Sequence, residues 1–255
     1  WTAKKRLNAG VGIMGLATWL AKKGMRYDTR VGLSEIHRVA ERHMYFLIKA
    51  SIALGRERGN AEWIDRTKWV DGWLPIDTYK KNIDKYHDAE LVYDWEALRE
   101  ELIMNGGMRF SSLFTIPPGE SSSKKSGPPN SVYPIRGTSM KKSDSSNILD
   151  WVAPFAEELK WDYQLAFDID TIDLIKVYGV LNKFTDQTVS CDQYRDRRQT
   201  LELSADKLIC EYLMTKEVGV PTSYYNNSLT AEEDNGENKG LSNSGPVCGS
   251  EGCTL

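Results

Sequence analysis

The sequence predicts an α/β fold that ends in an unstructured tail. Three observations carry this reading. Apolar residues recur at steps of three and four over several long stretches, and short apolar runs lie between those stretches. From Asn227 onward Ser, Asn, Glu, Asp and Gly dominate, with Leu229 and Leu241 the only large apolar residues before Val247. Helices that alternate with buried strands pack as an α/β architecture, whereas a stretch without apolar surface cannot offset the entropy of ordering it. Two regions follow: a folded one over residues 1–226 and a flexible tail over 227–255.

Residues 11–16 (Val11, Gly12, Ile13, Met14, Gly15, Leu16) suit a buried strand running into a helix, which continues from Trp19 to Lys23 and closes at Gly24. The clearest helix spans 33–58. Leu33, Ile36, Ala40, Met44, Leu47, Ser51 and Leu54 form its stripe, with Glu35, Arg38, Arg42, Lys49 and Arg56 off it and Gly59 as its stop. Residues 60–92 read as an irregular connector containing Trp63, Trp69 and Trp73. Asp94 is a good N-cap for a helix that runs through Leu98 and Leu102 to Gly106 and Gly107. A strand over 109–116 leads into a serine-rich loop, and residues 124–150 are polar and turn-rich without a clear pattern. Further helices are expected from Thr171 to about Ser190 and from Ser204 to Val218, before a short strand over 220–226.

The bulk numbers narrow the function. Of the 255 residues, 40% are hydrophobic and 27% charged, which is ordinary for a folded protein with a real core. A formal charge of -3 offers no broad attraction to nucleic acid or to a membrane surface. No apolar run approaches the ~20 residues needed to cross a bilayer. The basic start, from Trp1 to Arg6, does not read as a secretory signal. It also lacks an initiator methionine, so an N-terminus made by processing, truncation or splitting is expected.

Cys248 and Cys253 stand five positions apart with glycines between them, close to the C-terminus. Closing so small a ring costs little in a flexible segment, so dithiol and disulfide should interconvert readily. A tether of 29 residues reaches roughly 30 Å, enough to carry a dithiol into a buried site and out again. An incidental pair, or part of a metal site, fits the spacing too. The second is short of ligands, since His37, His43 and His87 all lie far upstream. Cys191 and Cys210, in or beside apolar helical patterns, read as small buried hydrophobes.

Tyr224 and Tyr225 are adjacent. On a regular strand one would face the core and one the solvent. A redox relay through both phenols would require the backbone to depart from a regular strand there. Pro118, Gly119, Glu120, Ser121, Ser122 and Ser123 follow a strand and supply successive backbone N–H groups and three hydroxyls. That inventory suits a phosphate if a helix begins just after it, with Lys124 and Lys125 adding charge. A solvated Ser/Lys loop has the same composition, and Glu120 favours an anion only if its side chain turns away.

Taken in order, Arg6-x5-Gly12-Ile13, Leu74-Pro75-Ile76-Asp77-Thr78-Tyr79-Lys80, Tyr93-Asp94-Trp95-Glu96-Ala97-Leu98-Arg99, the serine loop with Asn130 to Arg136-Gly137, Tyr224-Tyr225-Asn226 and the terminal cysteine pair form a recognisable series. The series resembles the C-terminal part of the large, catalytic subunit of class Ia ribonucleoside-diphosphate reductases, of the bacterial and tailed-phage type. The resemblance implies the second half of a ten-stranded α/β barrel. It implies that residues 118–123 bind the substrate diphosphate, and that Tyr224 and Tyr225 carry a radical toward an active-site cysteine. Cys248 and Cys253 then match a shuttle dithiol reduced by thioredoxin or glutaredoxin. No cofactor is expected in this chain, and the di-iron tyrosyl radical belongs to the partner small subunit. A cytoplasmic location is implied, in a host cell if the gene is a phage's.

The departures matter as much. The thiyl-forming cysteine with its Glu and Asn, the second cysteine pair and the nucleotide-sensing region precede the part matched here, and neither Cys191 nor Cys210 replaces them by context. The chain is therefore expected to be inactive alone and to need an upstream part of the large subunit. A non-catalytic remnant that binds partners without turnover is the alternative reading. A stand-alone thioredoxin-like module is a third, opposed by the CxxxxC spacing on a tail.

Overall fold

In the computed structural model, residues 1–143, 148–198, 204–220 and 223–229 are described. Helix α1 is Thr2–Arg6, α2 is Leu16–Lys22 and α3 is Arg30–Arg58. Helix α4 is Trp95–Met104 and α5 is Glu120–Ser126. Strands β1 (Ser139–Ser143) and β2 (Ile148–Val152) pair antiparallel. Helix α6 (Thr171–Asn182), β3 (Cys191–Asp196), α7 (Ala205–Val218) and β4 (Ser223–Leu229) complete the order.

The centre is a parallel array assembled from distant segments. The Val11 N–H donates to the Leu113 carbonyl at 2.8 Å, and Val11 bridges Phe114 in parallel. On the other side of that segment Ile116 bridges Val189, and β3 pairs parallel with β4. Among the described residues this makes four neighbouring parallel segments (near 11, 113–116, 189–196 and 223–229) with helices in the connections, and they do not close into a barrel. Parallel strands need such crossovers, and the helices cover the array.

Helix α3 is its main support. Ile36, Ala40, Met44, Ile48 and Ile52 are all fully buried, at spacings of four. Thr29 caps the helix by accepting the Gly32 N–H at 3.1 Å, and Gly59 stops it at φ 79°. A Cβ at Gly32 would lie 1.7 Å from the Arg26 carbonyl oxygen, so only glycine fits there. The stripe differs in part from the predicted one: Leu47 and Leu54 are only half-buried, and Glu35 is buried. Glu35 accepts the Trp19 indole N–H at 3.0 Å and meets Lys23 at 3.0 Å, because α2 packs on that flank.

The connector over 60–92 is a run of short 3-10 turns, at Ile64–Arg66, Lys68–Asp71, Pro75–Asp77 and Lys81–Tyr86. The 74–80 and 93–99 stretches meet here. Arg99 donates to both Asp77 carboxylate oxygens at 2.9 Å, while Asp77 accepts the Leu74 N–H at 2.8 Å. The Arg99 guanidinium holds the Asp77 carboxyl below its ordinary range. Asp94 caps α4 as predicted, accepting the Ala97 N–H at 2.9 Å.

Three expectations are corrected. Helix α6 ends at Asn182, well short of Ser190, because Asp186 turns back to accept the N–H groups of Leu113 (2.9 Å) and Phe114 (2.7 Å). That pins the chain beside the sheet, and Val189 enters it as a strand. Cys191 is buried but lies on β3, and Cys210 is exposed. Helix α7 turns Leu208, Ile209, Tyr212 and Leu213 outward and buries Glu211, which pairs with Arg195 of β3. Strand β4 continues to Leu229, past the point where the composition changes.

A polar cluster lies beneath α3. His37 is fully buried with no hydrogen-bond partner for either ring nitrogen; its ring lies 4.5 Å from that of His87. Burial, and then the Lys183 ammonium, push His37 down from 6.5 to about 3. The unfolded chain therefore binds a proton that the folded chain refuses. The stabilisation is complete above the ordinary histidine value and is lost as pH falls through it toward 3. Chemical denaturation should show about 2 kcal/mol less stability at pH 5 than at pH 7, and His37→Phe should flatten that slope. An unchanged slope in the variant would refute the assignment.

Candidate functional site

The serine loop opens a short helix, as a phosphate grip requires. Gly119 is the residue before α5, and its N–H donates to Asn130 Oδ1 at 2.6 Å. The Asn130 amide in turn donates to Glu120 Oε2 at 3.0 Å, so the Glu120 side chain is held against Asn130. A Cβ at Gly119 would lie 2.6 Å from Met14 Sδ, so the 11–16 segment packs closely against this position and a larger residue would have to displace the Met14 side chain. The first N–H groups of a helix have no acceptor within it, so those of the first turn of α5 take their acceptors from outside the helix. Ser121 and Ser122 are exposed. Ser123 is buried, and its hydroxyl donates to the Pro128 carbonyl at 2.6 Å. Its hydroxyl thus locks the loop from within. Lys124 and Lys125 occupy the last turn of α5, at the opposite end from Gly119.

The tyrosine pair sits on an irregularity of β4. Cys191 pairs with Ser223 and Gln193 with Asn226, so two residues of β4 face the single residue Asp192 of β3. Such a bulge abolishes strict alternation of side chains. Tyr224 and Tyr225 therefore meet, their ring centroids 4.3 Å apart at 72°, with a hydrogen bond between the phenols. Tyr224 is 52% exposed, whereas Tyr225 is half-buried. The expectation of one core and one surface tyrosine on a regular strand does not hold here. The Tyr225 phenol is pushed upward by its bond to Tyr224, by burial and by the nearby charges of Asp192 and Glu120.

A narrow cleft beside the start of α5 is lined by Glu120, Asn130, Tyr133, Arg136, Trp151 and Tyr194. The Trp151 indole donates to the Gly127 carbonyl at 2.8 Å, which ties the β1–β2 hairpin to the end of α5. Arg136 donates to Asn227 Oδ1 at 2.6 Å and thereby ties the cleft to β4. The Tyr133 hydroxyl donates to the Ser190 carbonyl at 2.8 Å. Asp192, 2% exposed, is pushed up to about 6 by burial, against the opposing pull of the Tyr225 N–H and the Arg136 charge. Glu120 acts electrostatically on both Asp192 and Tyr225, so the mouth of the serine helix and the tyrosine pair share one field.

Pro118 to Ser123, Tyr224 and Tyr225 are thus brought to one region. Cys248 and Cys253 lie outside the described residues. Sequence reasoning missed Asp192, Tyr133 and Tyr194 as parts of the site. One signal was legible, since an aspartate within an otherwise buried strand is unusual. Among the described residues no group of three or more His, Cys, Asp or Glu is placed to hold a metal ion, and no helix is long and apolar enough to cross a membrane.

Comparison with known proteins shows the family. The sequence model of the family described as ribonucleotide reductase, barrel domain, matches residues 2–226. Ribonucleoside-diphosphate reductase 1 subunit alpha of Salmonella typhimurium is 35% identical over 99% of this chain and 34% of its own length. The Escherichia coli subunit of the same name is 36% identical over 91% of this chain and 31% of its own. The alpha subunit of Enterobacteria phage T4 is 34% identical over 89% of this chain and 30% of its own. The chain spans about a third of the length of these curated relatives. With the family model covering nearly all of its described fold, the chain belongs to the ribonucleotide reductase barrel-domain family.

Proposed function

We propose that this chain is the C-terminal part of a ribonucleoside-diphosphate reductase large subunit. In this reading it grips the substrate diphosphate, relays the radical and admits reducing equivalents. The contact of Tyr224 with Tyr225, in one electrostatic field with the first turn of α5, carries the reading. The N–H groups of Glu120, Ser121 and Ser122 are the donors for the diphosphate, backed by Pro118 and Gly119 and braced by Ser123. Between the phenols one hydrogen atom moves at a time: the O–H bond of one breaks as that of the other forms, and the unpaired electron passes the opposite way. In the overall reaction a ribonucleoside diphosphate and a dithiol yield the 2′-deoxynucleotide, a disulfide and water. Cys248 and Cys253 return the disulfide to dithiol with electrons from thioredoxin or glutaredoxin, which places the protein in a reducing cytoplasm.

The thiyl-forming cysteine and the small subunit with its di-iron tyrosyl radical are the remaining partners. The relatives are about three times as long as this chain, so the 255 residues alone are expected to turn over no substrate. An apolar groove lined by Ile13, Trp19, Val39, His43, Phe46 and Leu47 runs beside the edge segment at Val11, and the rest of the large subunit is its proposed occupant.

The test combines the chain with the upstream part of the large subunit and the small subunit, with thioredoxin as reductant. Turnover of ribonucleoside diphosphates should appear, and Cys253→Ser should lower it at least about a hundredfold. A small-molecule dithiol should restore the variant. Thioredoxin-dependent turnover that survives Cys253→Ser removes the shuttle assignment. Binding without any turnover favours the remnant reading instead.

A further inference from the structure

Asp192 occupies an uncommon position. It is a buried carboxyl on the central strand β3, directly opposite the two-residue bulge of β4. A bulge leaves a strand N–H without its acceptor in the ladder, and that donor must be satisfied in another way. Here the Tyr225 N–H donates to Asp192 Oδ1 at 3.4 Å, so a side chain replaces the missing carbonyl. The strand is anchored from behind by the Tyr178 hydroxyl, which donates to the Asp192 carbonyl at 2.7 Å. The Tyr194 hydroxyl reaches Asp192 Oδ2 at 3.4 Å.

We propose that Asp192 is a positioning residue for the tyrosine pair: its carboxylate fills the bulge, holds the Tyr225 backbone, and presents its charge to the Tyr225 phenol. The proposal rests on reading Tyr224 and Tyr225 as the relay. The groups that face Asp192 are few and named. Arg136 comes from the segment before β1, Glu120 from α5, Cys191 and Tyr194 from β3, and Tyr225 from β4, while the Tyr133 and Tyr178 phenols lie within its field. Only Arg136 among them is cationic, and it draws the carboxyl down while burial and Glu120 push it up.

Two consequences follow. A charged Asp192 disfavours a tyrosinate at Tyr225, so the proton must leave that phenol together with the electron. The transfer within the pair is then of a hydrogen atom and leaves no new charge beside the carboxylate. Protonation removes the strong acceptor at the bulge, since a hydrogen bond to an ionised group is roughly twice as strong as a neutral one. With the carboxyl near 6, the geometry of the pair should depend on pH just below neutrality.

The experiment uses the full chain with 3-fluorotyrosine in place of Tyr225, followed by fluorine NMR from about pH 5 to about pH 7.5. The resonance should move with a midpoint near 6 in the parent and stay flat in Asp192→Asn, whose amide oxygen can still accept the N–H. A parent resonance without inflection, or the same inflection in Asp192→Asn, overturns the proposal. In the assembled reductase Asp192→Leu should lower kcat about tenfold at unchanged KM, with Asp192→Asn within about threefold of the parent and its acid limb lost. Equal losses in both variants, or a loss confined to KM, would count against positioning. If Tyr225→Phe keeps full turnover, the relay reading fails while a titrating resonance still upholds the Asp192 contact. A silent resonance beside an inactive Tyr225→Phe enzyme overturns the Asp192 proposal alone.

Discussion

Tyr225→Phe is expected to lower turnover of the assembled reductase at least about a thousandfold, equivalent to about 4 kcal/mol of barrier. The substitution removes one oxygen and leaves the ring. Packing at the bulge should persist, because the Tyr225 backbone N–H and its Asp192 acceptor are untouched. What disappears is the hydroxyl that shares a hydrogen bond with Tyr224, and with it the O–H that gives up a hydrogen atom at that point of the proposed relay. A benzene ring without a hydroxyl is far harder to oxidise by one electron, so the radical has nowhere to rest. Substrate affinity and subunit assembly should be unchanged, which separates this loss from misfolding. Stopped-flow measurement of radical decay on mixing with substrate, alongside steady-state turnover, checks it. A rate within tenfold of the parent would sink the relay role.

Glu41→Ala should be the most damaging single change to the fold, costing about 4 kcal/mol. Glu41 is fully buried on α3 and accepts three donors through one oxygen: the N–H groups of Val92 (2.8 Å) and Tyr93 (3.2 Å) and the Trp95 indole (3.1 Å). Removing the side chain leaves those donors without their acceptor, and each buried unmet group costs about 1–3 kcal/mol. The clamp fixes the entry to α4. It seats Tyr93 against Tyr45, with ring centroids 4.6 Å apart, and keeps Trp95 4% exposed. For a chain of this size the loss corresponds to about 10 °C in Tm. Glu41→Gln keeps an oxygen in place and should cost about 1 kcal/mol. Thermal melts of the two variants give the comparison, and equal melting temperatures for Ala and Gln would refute the clamp.

Much of the helical framework was legible because its signals act over a few residues. Asp94 caps α4 through the N–H three residues on, and Gly59 and Gly219 adopt positive φ where the apolar periodicity of α3 and α7 runs out. The serine stretch was legible only in part, since residues 120–123, expected as a loop with any helix after it, already form the start of α5. Strand limits were less legible. The segments near 11, 113–116 and 189 pair for only a few residues, and their ends are decided by partners a hundred positions away. Asp186 illustrates the point, because a carboxylate that looks helical in sequence ends α6 by capturing two N–H groups of a distant strand.

By itself, then, the sequence determined the family, the order of the longer helices, the place of the serine-rich stretch and the adjacency of the two phenols. These rest on residue identity and on contacts within a turn or two. Only the tertiary structure decided that Tyr224 and Tyr225 share a side of β4, that Ser123 faces inward, that Glu35, Glu41 and Asp192 are buried, and that Cys210 is not. The physical reason is common to all of them. The direction and burial of a side chain depend on which distant backbone groups need its oxygen or its volume, and that need exists only once the parallel segments are side by side.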